Sequence, residues 1–355
     1  MSGEGFLLGT DNARDYLVEH GLARPGEEIA LRPLGGGVSN TVLRVERTGR
    51  PERCWVVKQS LEKLRVKDDW RAERTRIFRE AEALQALRPV LGPGALPEVV
   101  HIDRENFLFV MTAAPGGSLV WKDLLLGRRA DAMVARGAAL LLARLVNGST
   151  GKRELKRRFE DRTAFEQLRI DPYYRHTAAR HPELRANFEK LIETSWGVRA
   201  ALVHGDYSPK NMLVRGENIF LIDFEVVHWG DPSFDAAFLL NHLCLKAFHQ
   251  PQVENRFVRL IEEFWRTLRA AIGATNLCKK GFAGFEALTV HHLGALLLAR
   301  IDGKSPVEYI QDEATKERVR RAATRILAEP PHELAGAIQI LREENHGKHQ
   351  GITGA

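Results

Sequence analysis

The chain has 355 residues, 44% of them hydrophobic, enough for a sizeable core and suggestive of two or three domains or one two-lobed enzyme. Lys and Arg number 52 against 46 Asp and Glu, and the net charge of +6 favours anionic ligands such as nucleotides without by itself indicating nucleic acid. The three cysteines, Cys54, Cys244 and Cys278, are scattered and form no CxxC pair, which argues against a disulfide framework or a zinc site and makes a reducing cytoplasm the expected compartment.

The first residues lack the basic start and apolar stretch of a signal peptide. Apolar runs such as Gly137 to Leu142 fall short of the ~20 residues a membrane span needs. Ala13, Tyr16, Leu17 and His20 recur at helical spacing, and Gly21 fits a C-terminal stop. Strands are expected at 29–34, 41–45 and 54–58. Between the first two lies Gly35-Gly36-Gly37-Val38-Ser39-Asn40. Such a turn lets backbone N–H groups approach phosphate with no Cβ in the way. It is not a Walker A loop, because no GK[ST] opens a helix.

Lys58 ends the third strand. A helix predicted over 71–88 places Ile77, Ala81, Leu84 and Leu87 on one face, with Glu80 inside that stripe and Glu82 opposite. A carboxylate within an apolar face is costly unless paired, and Lys58 is the expected partner. A Pro/Gly-rich connector over 89–97 follows, then strands at 99–103 and 106–111. The small residues of 112–117 read as a linker. Helices are expected over 119–126 and 130–146, the second densely apolar and so central to a core. The segment 151–162 carries Lys152, Arg153, Lys156, Arg157, Arg158 and Arg162. No aromatic residues interleave for base stacking, and it reads as a solvated helix face. Loops are expected at 171–174 and 181–182, and a helix over 183–194.

The stretch from Leu202 to Asp235 carries the densest signal. It holds His204-Gly205-Asp206, then Asn211, then a hairpin of 212–214 and 219–222, then Asp223-Phe224-Glu225 at the hairpin exit. Phosphoryl transfer needs such a set: one carboxylate for a hydroxyl proton, and hard oxygen ligands to hold Mg²⁺ on phosphates. Asp231-Pro232 reads as a helix start, with helices over 233–248, 253–272, 281–300 and 313–327. His291 and His292 are adjacent and diverge by ~100° on a helix, unlike a metal pair. The polar tail from Glu343 is expected to fray.

The ordered series HGDxxxxN, hairpin, IDFE resembles the aminoglycoside phosphotransferase and choline kinase superfamily. The resemblance implies an α+β, protein-kinase-like fold of two lobes: a β-rich nucleotide lobe over 1–111, a hinge at 112–117 and a mainly helical catalytic and acceptor-binding lobe over 118–355. It implies ATP-dependent transfer of a phosphoryl group to a hydroxyl of a small molecule: a sugar, amino alcohol or aminoglycoside-like compound. ATP would lie under Gly35, Gly36, Gly37, Ser39 and Asn40 and against Lys58, itself held by Glu80, with adenine at the backbone of Met111 and Ala113. Asp206 would accept or orient the acceptor proton, Mg²⁺ would sit on Asn211 and Asp223, with Glu225 assisting, and Asp235 would buttress the loop. His204 would pack within the loop. Arg320-Arg321 resembles an arginine pair of methylthioribose kinases; that pair, and the segment with Arg300, Asp302 and Lys304, are candidate acceptor contacts.

The loop reads HGD where protein kinases have HRD. Only seven residues separate Asp223 from Asp231, too few for a phosphorylatable activation loop, which disfavours a protein acceptor. Two other readings stand beside this one: an ATP-binding pseudokinase or regulatory module, and a nucleic-acid-associated protein using 152–162. Neither membrane nor nucleic acid is an expected partner, and a homodimer is left open.

Overall fold

The computed structural model describes residues 6–35, 39–47, 54–65, 70–272 and 281–347. Gly36, Gly37 and Cys278 lie outside them. The first part of the chain runs α1 (Ala13–Glu19), β1 (Ile29–Pro33), β2 (Asn40–Arg47), β3 (Trp55–Ser60), α2 (Arg76–Leu91), β4 (Val99–Asp103) and β5 (Leu108–Thr112). The strands form one antiparallel sheet of order β1-β2-β3-β5-β4.

Strand alternation divides this sheet between two cores. Leu43, Val45, Val57, Leu108 and Val110 pack with Tyr16 and Leu17 of α1. Val56, Phe109 and Met111 join Ile77, Ala81, Leu84 and Leu87 of α2 in the main core. Each of the buried Val, Leu, Ile, Phe and Met side chains among them contributes ~1.5–3 kcal/mol by leaving water. Lys58 shares the parity of Val56 and so falls on the α2 side, where an acid of that helix can reach it.

The helix α2 differs from the expected one at both ends. It begins at Arg76, and it continues through Pro89 to Leu91. Proline lacks an N–H and breaks a helix interior, but in the last turn it removes a single bond, while Leu87 and Leu91, 0% and 3% exposed, anchor the end.

After Thr112 the chain crosses to a largely helical part. β6 (Leu119–Val120) precedes α3 (Trp121–Leu126) and α4 (Ala132–Ser149). The expected helix over 119–126 thus opens as a short strand, which pairs with β8 (Met212–Arg215). β8 pairs in turn with β9 (Asn218–Leu221), giving the expected hairpin. The strands β7 (Ala201–Val203) and β10 (His228–Gly230) close a second two-stranded ladder around the motif. A π-helix, Glu166–Arg175, occupies the segment expected to be a loop. The C-terminal helices are Ser233–His249, Glu254–Ile272, Gly281–Asp302, Glu313–Ala328 and Leu334–Asn345. The last of these covers residues for which no element is predicted and reaches into the tail expected to fray, where Glu344 is buried and paired with Arg321 and Arg325.

The expectation that no apolar stretch reaches membrane length needs correction. Gly281–Asp302 spans 22 residues and is apolar enough to qualify, with most of that stretch buried inside the protein. It carries few polar side chains because other helices surround it.

Candidate active site

Lys58 and Glu80 form the ion pair that the helical spacing predicts. Lys58 Nζ donates to Glu80 Oε2 at 2.6 Å and to Asp223 Oδ1 at 2.5 Å. Glu82, on the opposite face of α2, pairs instead with Arg158. Burial opposes the Lys58 charge, but Asp223, Glu80 and Glu225 more than offset it and hold the ammonium above its ordinary range. The same ammonium, with Lys210, outweighs partial burial and holds the half-buried Asp223 carboxyl below its usual value. Asp223 adopts φ +72°, a left-handed conformation uncommon for a side chain other than glycine. The backbone thereby turns sharply after β9 and directs the carboxylate at Lys58.

The motif loop is tied down from several sides. Asp235, in the first turn of Ser233–His249, accepts the N–H of His204 at 2.6 Å and of Gly205 at 2.8 Å. Gly205 has φ +77°, and a Cβ there would lie 2.8 Å from Val226 Cγ1 and 2.9 Å from Val226 O, so no other residue fits. His204 Nδ1 accepts the Asp206 N–H at 3.1 Å, and Nε2 lies 3.1 Å from Ile222 O. These partners assign a neutral ring with its proton on Nε2. Burial agrees, pushing the imidazole down to about 4. His204 therefore spans from the residue before Asp223 to the amide of Asp206.

Asp206 is 3% exposed. Its Oδ2 receives Arg169 Nη2 and Lys210 Nζ, each at 2.9 Å. Burial raises the carboxyl, but Lys210 and Arg169 win and hold it far below the ordinary carboxylate range. Asn211 donates Nδ2 to the Asp206 carbonyl at 2.9 Å, which leaves its Oδ1 without a hydrogen bond among the described residues. The structure thus brings Lys58, Glu80, Asp206, Asn211 and Asp223 to one site.

Glu225 is engaged differently from a ligand with free oxygens. Its Oε1 accepts Ser39 Oγ at 2.8 Å, and its Oε2 accepts Asn40 Nδ2 at 2.9 Å and Arg76 Nε at 3.1 Å. Arg76 also donates to the Ser39 carbonyl. Ser39 and Asn40, expected over phosphates, thus meet Glu225. One oxygen each of Glu80, Asp223 and Glu225 nevertheless lies within 4.8 Å of the others, close enough to share a cation. Gly35 lies just beyond β1 with open space where a Cβ would project. At the linker, Met111 is buried in β5. Ala113 donates its N–H to Cys54 O at 2.9 Å, so of its two backbone groups only the carbonyl accepts nothing among the described residues.

Several other expectations resolve into structural contacts. Arg320 pairs with Asp302 at 2.9 Å and Arg321 with Glu344 at 2.8 Å. His292 bridges Tyr174, Ser195 and Asp231 in the core. Of the basic segment, Arg162 is buried and caps the carbonyls of Trp229, Trp196 and Val198, while Lys152, Arg153, Lys156 and Arg157 are exposed. Two site residues escaped the sequence reading, Arg169 and Arg76. Each meets its acid across a long sequence separation, and no spacing rule connects them.

Comparison with known proteins places most of the chain in one family and one fold. A model of the phosphotransferase enzyme family matches residues 30–269. The methylthioribose kinase of Geobacillus thermodenitrificans (strain NG80-2) is 23% identical over 393 residues, covering 94% of this chain and 96% of that protein. A choline/ethanolamine kinase family protein from Mesorhizobium loti superposes with a TM-score of 0.52 at 18% identity, over 94% of this chain and 99% of that one. The amicoumacin kinase hAmiN, in complex with AMP-PNP, Ca²⁺ and Ami, superposes with a TM-score of 0.56 at 15% identity, over 90% and 94% of the two chains.

Proposed function

The chain belongs to the phosphotransferase enzyme family and is an ATP-dependent small-molecule kinase with a two-lobed, protein-kinase-like α+β fold; from that premise we propose how its residues divide the work. The nucleotide lobe comprises 1–111, the hinge 112–117 and the catalytic and acceptor lobe 118–355. ATP lies between the lobes with its phosphates under 35–40 and its adenine against Met111 and Ala113, where the Ala113 carbonyl is the acceptor on offer. Lys58 carries the α- and β-phosphates as a point charge. Glu80 and Asp223 hold that ammonium in place.

Membership of the family implies a divalent cation, and the donors fit one. Among the described residues no donor reaches Asp223 Oδ2 or Asn211 Oδ1, so two hard oxygens are present. We assign Mg²⁺ to Asn211 and Asp223. Glu225 supports them by positioning Ser39, Asn40 and Arg76. When bound, the ion neutralises charge on the phosphates.

Asp206 orients the acceptor hydroxyl and takes its proton late. A carboxylate held so low by Arg169 and Lys210 is a weak base. A loose phosphoryl-transfer transition state asks little of a base before the P–O bond to the leaving group is largely broken. Lys210, 2.9 Å from Asp206, stands between base and metal ligands and steadies the transferring group. The single observation carrying this reading is the convergence of Lys58, Asp206, Asn211 and Asp223.

An ATP-consumption screen over sugars, amino alcohols, aminoglycosides and hydroxy acids tests it. With a responding acceptor, Asp206→Ala should lower turnover by at least ~10²-fold while a fluorescent ATP analogue still binds. Wild-type turnover in that variant removes Asp206 from its role. Nucleotide binding without turnover on any acceptor moves the chain to the pseudokinase reading.

A further inference from the structure

Beyond Asp206 a run of cationic side chains is buried. The Arg169 guanidinium, bonded to Asp206, lies 5.5 Å from the ring centroid of Tyr173 and 5.5 Å from that of Phe238. Tyr173 is shared with Arg300, whose Nη1 donates to Tyr173 Oη at 3.2 Å. Phe238, His242 and Lys246 follow one another by single turns on Ser233–His249, with the rings of Phe238 and His242 at 5.3 Å. Lys246 Nζ lies 5.1 Å from the Tyr309 ring centroid. These contacts form a continuous path from Asp206 to Lys246.

Two of the cations on this path lack a counter-charge. Lys246 is 0% exposed and Arg300 is 9% exposed. Among the described residues neither has a carboxylate within 4.0 Å. Among the described residues the Lys246 ammonium bonds only to the His242 carbonyl of its own helix, at 3.3 Å. Among them too, Arg300 Nε and Tyr309 Oη are buried with no hydrogen-bond partner, while Arg300 Nη1 is held by Ser305. Burying an unpaired charge costs several kcal/mol even after relaxation, and a core position would hold leucine or methionine more cheaply. The charges facing Lys246 do not resolve this. Burial pushes its ammonium down to about 7, Lys122 and Arg300 push the same way, and Glu308 and Asp123 oppose them with smaller effects. Glu308 is itself paired with Lys122. His242 is kept neutral by burial and by Lys246 and Arg300.

We propose that Lys246 and Arg300, with the Tyr173 and Tyr309 hydroxyls, form an anion subsite that holds a carboxylate or phosphate-type group of the acceptor while its hydroxyl reaches Asp206. This rests on the kinase reading above and names the acceptor class for that same site. The two uncompensated cations gain their counter-charge from the substrate. A polycationic aminoglycoside or a choline-like ammonium meets like charge there and is selected against.

Sulfate is the probe, because it does not titrate near neutrality. Isothermal titration is done on the full chain saturated with Mg²⁺ and AMP-PNP, in buffers of different ionisation enthalpy at pH 7.5. Wild-type protein should bind sulfate with uptake of up to about one proton as Lys246 charges. Lys246→Met should weaken binding by roughly tenfold or more and abolish the uptake. Lys246→Arg should restore affinity without it, and melting curves check that both variants fold. In turnover, a hydroxy acid should be preferred over the polyol and amino alcohol of matched skeleton, and Lys246→Met should raise its KM far more than it lowers kcat. Absence of sulfate binding, equal sulfate affinity in wild type and Lys246→Met, or preference for the neutral or cationic acceptor overturns the subsite. The last outcome, with turnover still dependent on Asp206, leaves the kinase reading intact. Lys246-dependent sulfate binding without turnover of any acceptor keeps the subsite and removes the kinase reading.

Discussion

Lys246 is the residue whose charge this fold supports least, and that has a consequence for stability apart from any ligand. Its pKa falls from 10.5 to about 7, chiefly by burial. Between those values the unfolded chain binds more protons than the folded one, so stability rises with pH across that window. Below about pH 7 the folded lysine must carry its charge in the core, at a cost on the order of a few kcal/mol. Lys246→Met should therefore be more stable than wild type at pH 6.5 by that order, with the advantage shrinking steadily toward pH 10. Denaturant midpoints of both proteins across this range provide the check. An advantage that does not change with pH rejects a lysine that titrates near 7. At this scale the sequence was legible where one element's period exposes a conflict, as with Glu80 in an apolar stripe. It was silent about Lys246, because a lysine on an otherwise apolar helix looks the same whether it snorkels or stays buried. Arg76 and Asp223 show a similar limit: a long-range ion pair and a positive φ leave no local pattern.

The segment Glu166–Arg175 shows what happens when local and tertiary preferences diverge. Asp171-Pro172 is a turn signal, and the sequence reading made it a loop. The chain instead continues as a π-helix with Pro172 inside, a wide-turned geometry often found at functional sites. Here it presents Arg169 to both Gly205 O, at 2.7 Å, and Asp206. Strands and the longer helices were readable because their periods repeat, and the Met212–Leu221 hairpin because its turn residues and alternation agree. A π-helix has no such repeat, and neither has the two-residue strand Leu119–Val120. The placement of Arg169 predicts a pH effect. Burial pushes the Asp206 carboxyl up, while Lys210 and Arg169 pull it far down, so the carboxylate persists well below neutral pH. Without Arg169 its pKa rises, and under the proposed role of Asp206 activity is lost at a higher pH as the medium is acidified. Arg169→Met should shift the acid limb of the kcat profile upward and lower kcat at pH 7 by roughly tenfold or more. Arg169→Lys should recover part of both. Superimposable profiles for wild type and Arg169→Met remove Arg169 from the tuning of Asp206.

Over the whole molecule, the two acids of the Asp223-Phe224-Glu225 segment fasten the five-stranded sheet and α2 to the catalytic hairpin. Asp223 reaches Lys58 on β3, and Glu225 reaches Ser39, Asn40 and Arg76. Only seven residues separate Asp223 from Asp231, so there is no long segment between hairpin and helix whose phosphorylation could order the site. The sheet meets the hairpin through the ion pairs Lys58–Asp223 and Arg76–Glu225. Arg76 and Glu225 are 3% and 5% exposed, and breaking one partner of a buried pair leaves the other charge uncompensated, typically at 3–5 kcal/mol. Arg76→Met and Glu225→Gln should each destabilise on that order. The double variant should lose clearly less than their sum, with a coupling of about 1–3 kcal/mol from denaturant midpoints. On the proposed placement of the phosphates, the single variants should also weaken AMP-PNP binding, because Asn40 and the Ser39 carbonyl lose the side chains that hold them. Strict additivity of the two losses, with nucleotide affinity unchanged, means that Glu225 does not join the lobes. The sheet would then be held to the hairpin by Lys58 and Asp223 alone.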